Sequence, residues 1–331
     1  MKIREIALAA AIVAATGVAV PGSAAATPPD SAVGYWTADR VHGAQPRDVV
    51  LDADRGPAVP RPKPDNPGNK PDKNPNDGTD DGAGDSGGVV TGAPWPEGGP
   101  QDPIDDLVGK VLFTLGGNDY VCSASTIAPS SGTGWVVMTA GHCAWDDSTG
   151  VASNWVFVPD FETVREWGCS PDDVTLGQSG GGCYAAASLH PHGNWMAPGN
   201  DYLADVAFVR MADDRPTQTG VGSLPVLRTQ TAVDVEVTAL GYPAAKKYSG
   251  SDLTYCLGVA GPGPGSYSSN PALACDMTGG SSGGPWYSDV DDDGVLEATS
   301  LNSFGLRGYN GFMFGPVFDG GAAAALAAAS S

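Results

Sequence analysis

The chain has 331 residues and a formal net charge of −21 at pH 7, with 38 acidic residues against 17 lysine and arginine residues. This excess of negative charge argues against sequence-independent nucleic-acid binding, which depends on basic surface patches. Glycine (47 residues) and proline (28 residues) are abundant, which predicts many turns, a disordered segment, or both.

The first 26 residues have the organisation of a secretory signal peptide. Lys2 and Arg4 give a positively charged start, residues 6–20 are apolar, and residues 24–26 form a small-residue cleavage site. A membrane anchor is the alternative, but the apolar stretch is short for a membrane span. We therefore expect a secreted, extracellular protein that makes no membrane contact after the signal peptide is removed.

Residues 27–104 are predicted to be a disordered pro-segment or linker. Within this range, residues 55–104 are dense in Pro, Gly, Asp and Asn. They contain too few apolar side chains to offset the entropic cost of ordering the chain. The folded domain is therefore expected to span residues 105–331.

From residue 105 onwards, short apolar runs alternate with clusters of Gly, Ser, Asn and Pro. The runs are rich in Val, Phe, Trp and Thr and are too short for helices, which is typical of an all-β barrel or sandwich. They are KVLFTL, TGWVVMTA, NWVFVP, DVAFV, VEVTALG and MFGPVF. The alanine-rich end, residues 322–329, predicts a short C-terminal helix.

The six cysteines form an even set, which favours disulfides in an exported chain. They are Cys122, Cys143, Cys169, Cys183, Cys256 and Cys275. Many pairings are possible, and the simplest joins each cysteine to its nearest neighbour, as 122–143, 169–183 and 256–275. No CxxC pair is present, so we expect no zinc site.

Three segments hold residues suited to acyl-transfer chemistry: His142 after an apolar run, Asp205 at the start of DVAFV, and Ser282 within GGSSGGP. A serine becomes a nucleophile when a base removes its proton, and it needs backbone N–H groups directed at the oxyanion. Adjacent glycines let the backbone present such groups. Each segment alone could be structural. Together, in the order His, Asp, Ser, they match one known arrangement of a Ser-His-Asp triad.

The motifs resemble those of the trypsin/chymotrypsin-type serine proteases. Thr139–Cys143 resembles the family's TAAHC motif, and Asp205–Val209 resembles its D-[IV]-A-[LV]-[LIV] motif. Gly280–Pro285 resembles GDSGGP, with Ser281 in place of the usual Asp. Asn302–Gly305 resembles the S-W-G strand that lines the substrate cleft, and the CSAST sequence at Cys122 resembles the family's CSGSLI strand.

The resemblance implies two six-stranded antiparallel β-barrels and a secreted serine endopeptidase that acts on polypeptides, as a monomer and without a cofactor. The short interval between Asp205 and Ser282, and the loss of the acid before the serine, are similar to the bacterial branch that includes the V8-like glutamyl endopeptidases. The alternative is a catalytically inactive protein of the same fold that only binds, for instance at the cell surface.

The resemblance also assigns roles to individual residues. Ser282 is the expected nucleophile, His142 the general base and Asp205 the residue that orients the imidazole. The N–H groups of Gly280 and Ser282 are expected to form the oxyanion hole, and a Cys122–Cys143 disulfide to hold the strand that carries His142. Asp201 is a rival to Asp205, which we prefer because a strand-like pattern follows it.

Asp276, Ser303, Phe304 and Gly305 are the expected lining of the substrate pocket. An acid at position 276 would pair with an Arg or Lys side chain of a substrate. No cysteine lies between Asp276 and Ser282, unlike in trypsin-like members, so the local path can differ. The residue preferred before the scissile bond (P1) stays open between basic, small or apolar, and acidic.

Ser281 bears on control of activity, because the animal-type enzymes use an Asp at this position to bind a newly freed N-terminus. Without that acid, we expect residues 27–104 to control the enzyme by covering or chaperoning the folded domain.

Two further motifs could hold metal ions. Asp289, Asp291 and Asp293 resemble the start of a calcium loop, but Ser300 stands where such a loop has its glutamate, so an acidic hairpin is the preferred interpretation. His190 and His192 could form a metal clip, and an exposed loop is the preferred interpretation there.

Overall fold

The computed structural model describes residues 24–25, 27–53, 91–96, 103–132, 134–164, 169, 182–213, 223–289 and 295–331. The predicted signal peptide lies outside this part of the chain except for Ala24–Ala25, so it stays a prediction. In the described residues, no helix has the length and apolar character needed to cross a membrane.

The strands are short and the helices are few in the described residues. In chain order the strands are β1 (Ala24–Ala25), β2 (Gln45–Pro46), β3 (Val50–Asp52), β4 (Ala93–Pro94), β5 (Val108–Leu115), β6 (Asn118–Ile127), β7 (Val136–Thr139), β8 (Trp145–Asp146), β9 (Gly150–Val151), β10 (Ser153–Pro159), β11 (Tyr184–Pro191), β12 (Ala207–Met211), β13 (Val226–Leu227), β14 (Glu236–Gly241), β15 (Thr254–Val259), β16 (Gly261–Pro262), β17 (Pro271–Ala274), β18 (Pro285–Asp289), β19 (Leu296–Leu301), β20 (Gly305–Arg307) and β21 (Phe312–Phe314). The helices are α1 (Pro29–Tyr35), α2 (Ala38–Gly43), α3 (Pro103–Leu107), α4 (Phe161–Val164) and α5 (Gly320–Ala329).

Six strands close into an antiparallel barrel in the order β11-β10-β5-β6-β7-β12, with β12 returning to pair with β11. Closure leaves no free edge among these six strands. Val111, Val137, Phe157 and Val209 share one face of these strands and belong to a buried apolar core. The predicted strands KVLFTL, TGWVVMTA, NWVFVP and DVAFV all supply members of this barrel.

The second half of the chain, together with β4 from the segment before the barrel, forms a six-stranded sheet, β13-β19-β18-β14-β15-β4; the second half also forms a three-stranded sheet, β16-β17-β21. They surround a second core that includes Val237, Leu273, Trp286 and Met313. The all-β fold class, the closed six-stranded barrel and the C-terminal helix are confirmed. In MFGPVF only the first two residues, Met313 and Phe314, lie in a strand, because Pro316 has no N–H to donate to a ladder.

All three nearest-neighbour disulfides are present: Cys122–Cys143, Cys169–Cys183 and Cys256–Cys275. The first joins β6 to the residue after His142. The sulfur atoms of Cys122 and Cys143 lie near the His142 ring, but as a disulfide they offer no thiolate to a metal ion.

The expectation of disorder over residues 27–104 is wrong for residues 27–53 and 91–96. Helices α1 and α2 and strands β2 and β3 pack on the folded domain that follows them, and β4 pairs with β15. Trp36 is fully buried, and its Nε1 donates to the carbonyl oxygen of Asn154 at 2.6 Å. Ala32, Val41 and Leu51 are also buried, so this part holds the apolar side chains that residues 55–104 lack. The domain boundaries themselves stay a prediction.

Lys110 of β5 is buried where the barrel meets Gly250 of the second half of the chain. Its ammonium group donates to the carbonyl oxygen of Gly250 and lies 4.1 Å from the centre of the Phe161 ring. Burial lowers the pKa of Lys110 to about 7, and the negative charge of Asp252 offsets only part of this effect. The unfolded chain, with an ordinary lysine pKa, therefore binds more protons between about pH 7 and pH 10.5.

The stability cost of burying Lys110 is consequently complete below pH 7 and is relieved as the pH rises towards 10.5. We expect Lys110→Met to raise Tm more at pH 6 than at pH 10, measured by circular dichroism melts. Exposed Lys246→Met is the matched control and should show no such difference. An equal effect of Lys110→Met at both pH values would contradict the buried-charge explanation.

Candidate active site

The register of β7 and β12 brings His142 and Asp205 together. The two strands are antiparallel, and Thr139, the last residue of β7, pairs with Ala207, the first residue of β12. The chain leaves β7 through a short 3-10 helix, Gly141–Cys143, and it enters β12 just after Asp205. Both side chains therefore lie at the same end of the closed barrel.

Asp205 is fully buried and binds His142 through both carboxylate oxygens. Its Oδ1 accepts from the backbone N–H of His142 at 2.8 Å, and its Oδ2 lies 2.8 Å from Nδ1 of the imidazole. The hydroxyl of Ser303 also donates to Oδ2. With Nδ1 held by the carboxylate, Nε2 is the ring nitrogen left to accept a proton.

The loop that carries Ser282 packs against the end of β7. The backbone N–H of Ser123 donates to the carbonyl oxygen of Ser282 at 2.7 Å, and Cys143 Sγ lies 3.9 Å from the same oxygen. Gly283 has φ +86°, and a Cβ there would overlap the carbonyl oxygen of Ser123 and the hydroxyl of Thr139. A glycine is therefore required for the serine loop to approach the residues next to His142.

Two backbone N–H groups of this loop are available to an oxyanion. The carbonyl of Gly279 accepts from Ala244 N at 2.8 Å, so the N–H of Gly280, in the same trans peptide, points the opposite way. The carbonyl of Ser281 accepts from Gly284 N, so the N–H of Ser282 likewise points away from that bond. Neither N–H donates to a backbone group among the described residues. This geometry fits the predicted oxyanion hole.

The hydroxyl of Ser282 is engaged by a residue from the segment before the domain. It donates to the carbonyl oxygen of Arg47 at 3.2 Å. His142 Nε2 is buried and has no hydrogen-bond partner within the described part of the chain. The serine hydroxyl is thus directed at Arg47 rather than at the imidazole.

The predicted pocket residues lie beside Ser282. A cavity is lined by Asp276, Ser282, Ser303, Phe304 and Gly305 together with residues of the preceding segment. The carboxylate of Asp276 is already bound: one oxygen accepts from the N–H of Gly92 at 2.9 Å and the Tyr248 hydroxyl at 2.6 Å, and the other pairs with Lys247. Burial acts to raise the pKa of Asp276, but these donors outweigh it and the net shift is downward.

The carboxylate that binds His142 is that of Asp205 and not that of the rival Asp201. Asp201 caps the 3-10 helix Tyr202–Ala204, where its side chain accepts from Leu203 N at 3.0 Å. Its role is therefore explained by local structure.

The interpretation of His190 and His192 as an exposed loop is wrong. His190 lies in β11 with Nε2 2.8 Å from the Ser188 hydroxyl, and burial lowers its pKa. His192 is buried, with Nε2 2.8 Å from Asp319, the N-cap of α5.

Of the calcium motif, residues 291 and 293 and the side chain of Asp289 lie outside the described residues, so the motif is untested. The flanking strands β18 and β19 pair as an antiparallel hairpin.

Ser123 and Asn302 lie within motifs quoted from the sequence but were given no role there, yet both support the serine loop. The Ser123 hydroxyl donates to the carbonyl oxygen of Gly280 at 2.9 Å. Asn302 Nδ2 donates to the carbonyl oxygens of Leu240 and Ser281, at 2.8 and 3.2 Å. Their positions in the sequence could have indicated this role, because Ser123 follows Cys122 and Asn302 precedes Ser303, each as a polar residue in a strand-like run.

A closed β-barrel with a buried histidine–aspartate pair beside a Gly-Ser-Ser-Gly-Gly loop defines the class of chymotrypsin-like serine proteases. Two solved structures are similar to the chain. The protease Anisep from Arthrobacter nicotinovorans is 28% identical with a TM-score of 0.56, over 68% of this chain and 95% of that one. The thermostable serine protease AL20, from an extremophilic microorganism, is 33% identical with a TM-score of 0.55, over 68% and 97%.

No family model matches the sequence, and no curated protein matches it. On the extent and identity of the likeness to the solved serine proteases, the chain belongs to the chymotrypsin-like serine protease family. The predicted family is confirmed, and its structural relatives support a protease.

Proposed function

We propose that this protein is a secreted serine endopeptidase that hydrolyses peptide bonds of polypeptide substrates through an acyl-enzyme intermediate. The observation that carries the proposal is the buried pair of His142 and Asp205, joined by two hydrogen bonds of 2.8 Å, next to the loop of Ser282. The burial of the pair excludes water from the proton path, which strengthens its electrostatic interactions.

In the proposed first step, Ser282 Oγ attacks the scissile carbonyl carbon while its proton moves to His142 Nε2. Asp205 holds the imidazole in the required tautomer and stabilises the imidazolium. The carbonyl oxygen becomes an oxyanion and accepts from the N–H groups of Gly280 and Ser282, each worth roughly 10²–10³ in rate. His142 then protonates the leaving amine, and the C–N bond breaks to give the acyl-enzyme.

Water then hydrolyses the acyl-enzyme, and His142 again acts first as base and then as acid. His142 removes a proton from the water as its oxygen attacks the acyl carbon, and the proton returns to Ser282 Oγ as the acid product leaves. Every catalytic group in this cycle comes from the chain itself, so the proposed mechanism assigns no step to a cofactor or metal ion.

Three disulfides support the proposed export, because such bonds persist in oxidising compartments. We further propose that the mature protein acts as a monomer, without membrane or nucleic-acid contact. The P1 preference stays open: Asp276 lines the cavity, but its charge is already compensated by Lys247.

Covalent labelling with a small fluorophosphonate tests the proposed function. We expect the full chain to be labelled at Ser282 during a long incubation, and Ser282→Ala to take up no label, as read by intact-mass spectrometry. Ser281→Ala is the matched control, because the Ser281 hydroxyl donates to Thr278 O instead and its loss should leave the label in place. Absence of label both in the full chain and in every folded variant that frees the Ser282 hydroxyl would favour the alternative, a protease-fold protein that only binds.

A further inference from the structure

Residues 45–52, here called the cleft segment, cross the active site between two strand edges. Strand β2 pairs in parallel with residues 120–121 of β6, and β3 pairs in parallel with β20. Between them, Arg47 N donates to the Val121 carbonyl oxygen at 3.1 Å, and Gly305 N donates to the Val49 carbonyl oxygen at 2.9 Å. The segment is thus bound by main-chain hydrogen bonds on both sides of Ser282, the geometry of an added β-strand.

Arg47 fixes the centre of the cleft segment. Its guanidinium lies 2.8 Å from Asp146, and both side chains are almost fully buried. Asp146 is held in turn by the N–H of Ser148 at 2.9 Å, and the guanidinium lies 5.1 Å from the centre of the Tyr120 ring. Charge-assisted bonds of this kind set geometry closely. The carbonyl of Arg47 is therefore placed at Ser282 by the ion pair of its own side chain.

The cleft segment alternates in burial, as a strand with one face in the cleft should. Val49 and Leu51 are each 2% exposed, whereas Val50 between them is 52% exposed. The two buried side chains belong to a cluster with Trp195, Phe304 and Phe314. The apolar contacts therefore lie on one face of the segment, against a cluster that includes Phe304 of the strand predicted to line the substrate cleft.

Helices α1 and α2 attach the cleft segment to the barrel from its N-terminal side. The Tyr35 hydroxyl donates to Asp119 at 2.8 Å, and Arg40 pairs with the same carboxylate at 2.9 Å. This attachment raises the effective concentration of the segment at the cleft, because its binding is intramolecular.

The direction of the Arg47 carbonyl decides what the bound segment does. Attack requires Ser282 Oγ to face a carbonyl carbon whose oxygen lies at the N–H groups of Gly280 and Ser282. Here Oγ instead donates a hydrogen bond to the carbonyl oxygen of Arg47. The hydroxyl is thereby withheld from His142 Nε2, which lacks a partner in the described residues.

From these contacts we infer that the cleft segment is the protein's own inhibitor: it occupies the substrate cleft, keeps the Ser282 hydroxyl off the base, and is not cut there. The inference rests on the proposed protease function. It locates the control expected from residues 27–104 in the cleft segment, and it makes displacement of that segment the activating event.

Leu51→Asp and Val50→Asp form a matched pair for testing the inhibitor. Both place the same carboxylate in β3, but only Leu51 is buried, and a charge moved into apolar contact is costly. In the full chain we expect Leu51→Asp to increase the rate of fluorophosphonate labelling at Ser282 by about tenfold or more, which corresponds to a modest loss of segment binding. Val50→Asp should label at the parental rate.

Arg47→Ala is measured beside this pair, because it removes the ion pair with Asp146 without placing a charge in the apolar cluster. It should also label faster than the parent, even if Leu51→Asp does not fold. Equal labelling rates for the parent, Arg47→Ala and any folded Leu51→Asp chain would overturn the inhibitor and leave the protease proposal standing. Absence of labelling in all folded forms would overturn both.

Discussion

Replacing Asp205 with Asn is expected to lower kcat by about 10⁴, with KM little changed, as in the related case of a serine protease that lost this charge. The present hydrogen bonds give the reason. Oδ1 accepts from the backbone N–H of His142, so the amide oxygen of Asn should take that position. The NH₂ group then faces Nδ1, which must become an acceptor, and the ring proton moves to Nε2. An imidazole in that tautomer cannot accept the proton of Ser282.

Steady-state rates on a peptide substrate measure this effect, and Asp201→Asn is the matched control. Asp201 is an exposed cap four residues earlier in the chain, so its amide should change kcat by less than about twofold, as for most surface substitutions. A loss in kcat of less than tenfold for Asp205→Asn, or a larger loss for Asp201→Asn than for Asp205→Asn, would contradict the role given to Asp205.

The core of the candidate site could be predicted from the sequence because its parts are local. The apolar run before His142 and the run after Asp205 each specify a strand, and the structure pairs these strands as β7 and β12. The disulfide partners were predicted because each pair is also close along the chain. In these cases a short sequence pattern carries the geometry.

The cleft segment could not be predicted in the same way. Its apolar residues, Val49 to Leu51, are too few to show a period, and its strand partner β20 lies more than 200 residues later in the chain. The disorder expected from the composition of residues 55–104 was also extended to residues 27–54, which hold Trp36 and Leu51. Burial of His192 depends similarly on Asp319, a distant residue that no local pattern indicates.

Gly141 shows how a departure from a family motif can depend on a distant residue. The motif usually has Ala at this position, and the sequence gives no reason for the glycine. In the structure a Cβ on residue 141 would lie 2.7 Å from the Trp195 ring and 3.0 Å from Asp205 Oδ1. Trp195 packs edge-on against Tyr202, with ring centres 5.3 Å apart, and lies 6.3 Å from the His142 ring. The indole thus occupies the space that the methyl group would need.

Gly141→Ala is therefore expected to destabilise the fold by about 1–3 kcal/mol, as overpacking of a filled core does. It should also lower kcat by roughly 10²-fold, because the added methyl group displaces Asp205 from His142. Denaturant unfolding and peptide hydrolysis measure the two effects. Gly193→Ala is the matched control, because no atom lies within 4 Å of a Cβ at that position.

A second substitution separates crowding from a general intolerance of Ala at position 141. Trp195→Leu alone should destabilise the fold, since it removes a buried ring. Combined with Gly141→Ala, it removes the atoms that the new methyl group meets. The double variant should then be more stable than the sum of the single effects predicts, by about 1 kcal/mol or more, and should regain part of the lost kcat. Additive effects on stability would show that the indole is not what requires glycine, and the crowding explanation of this motif change would be wrong.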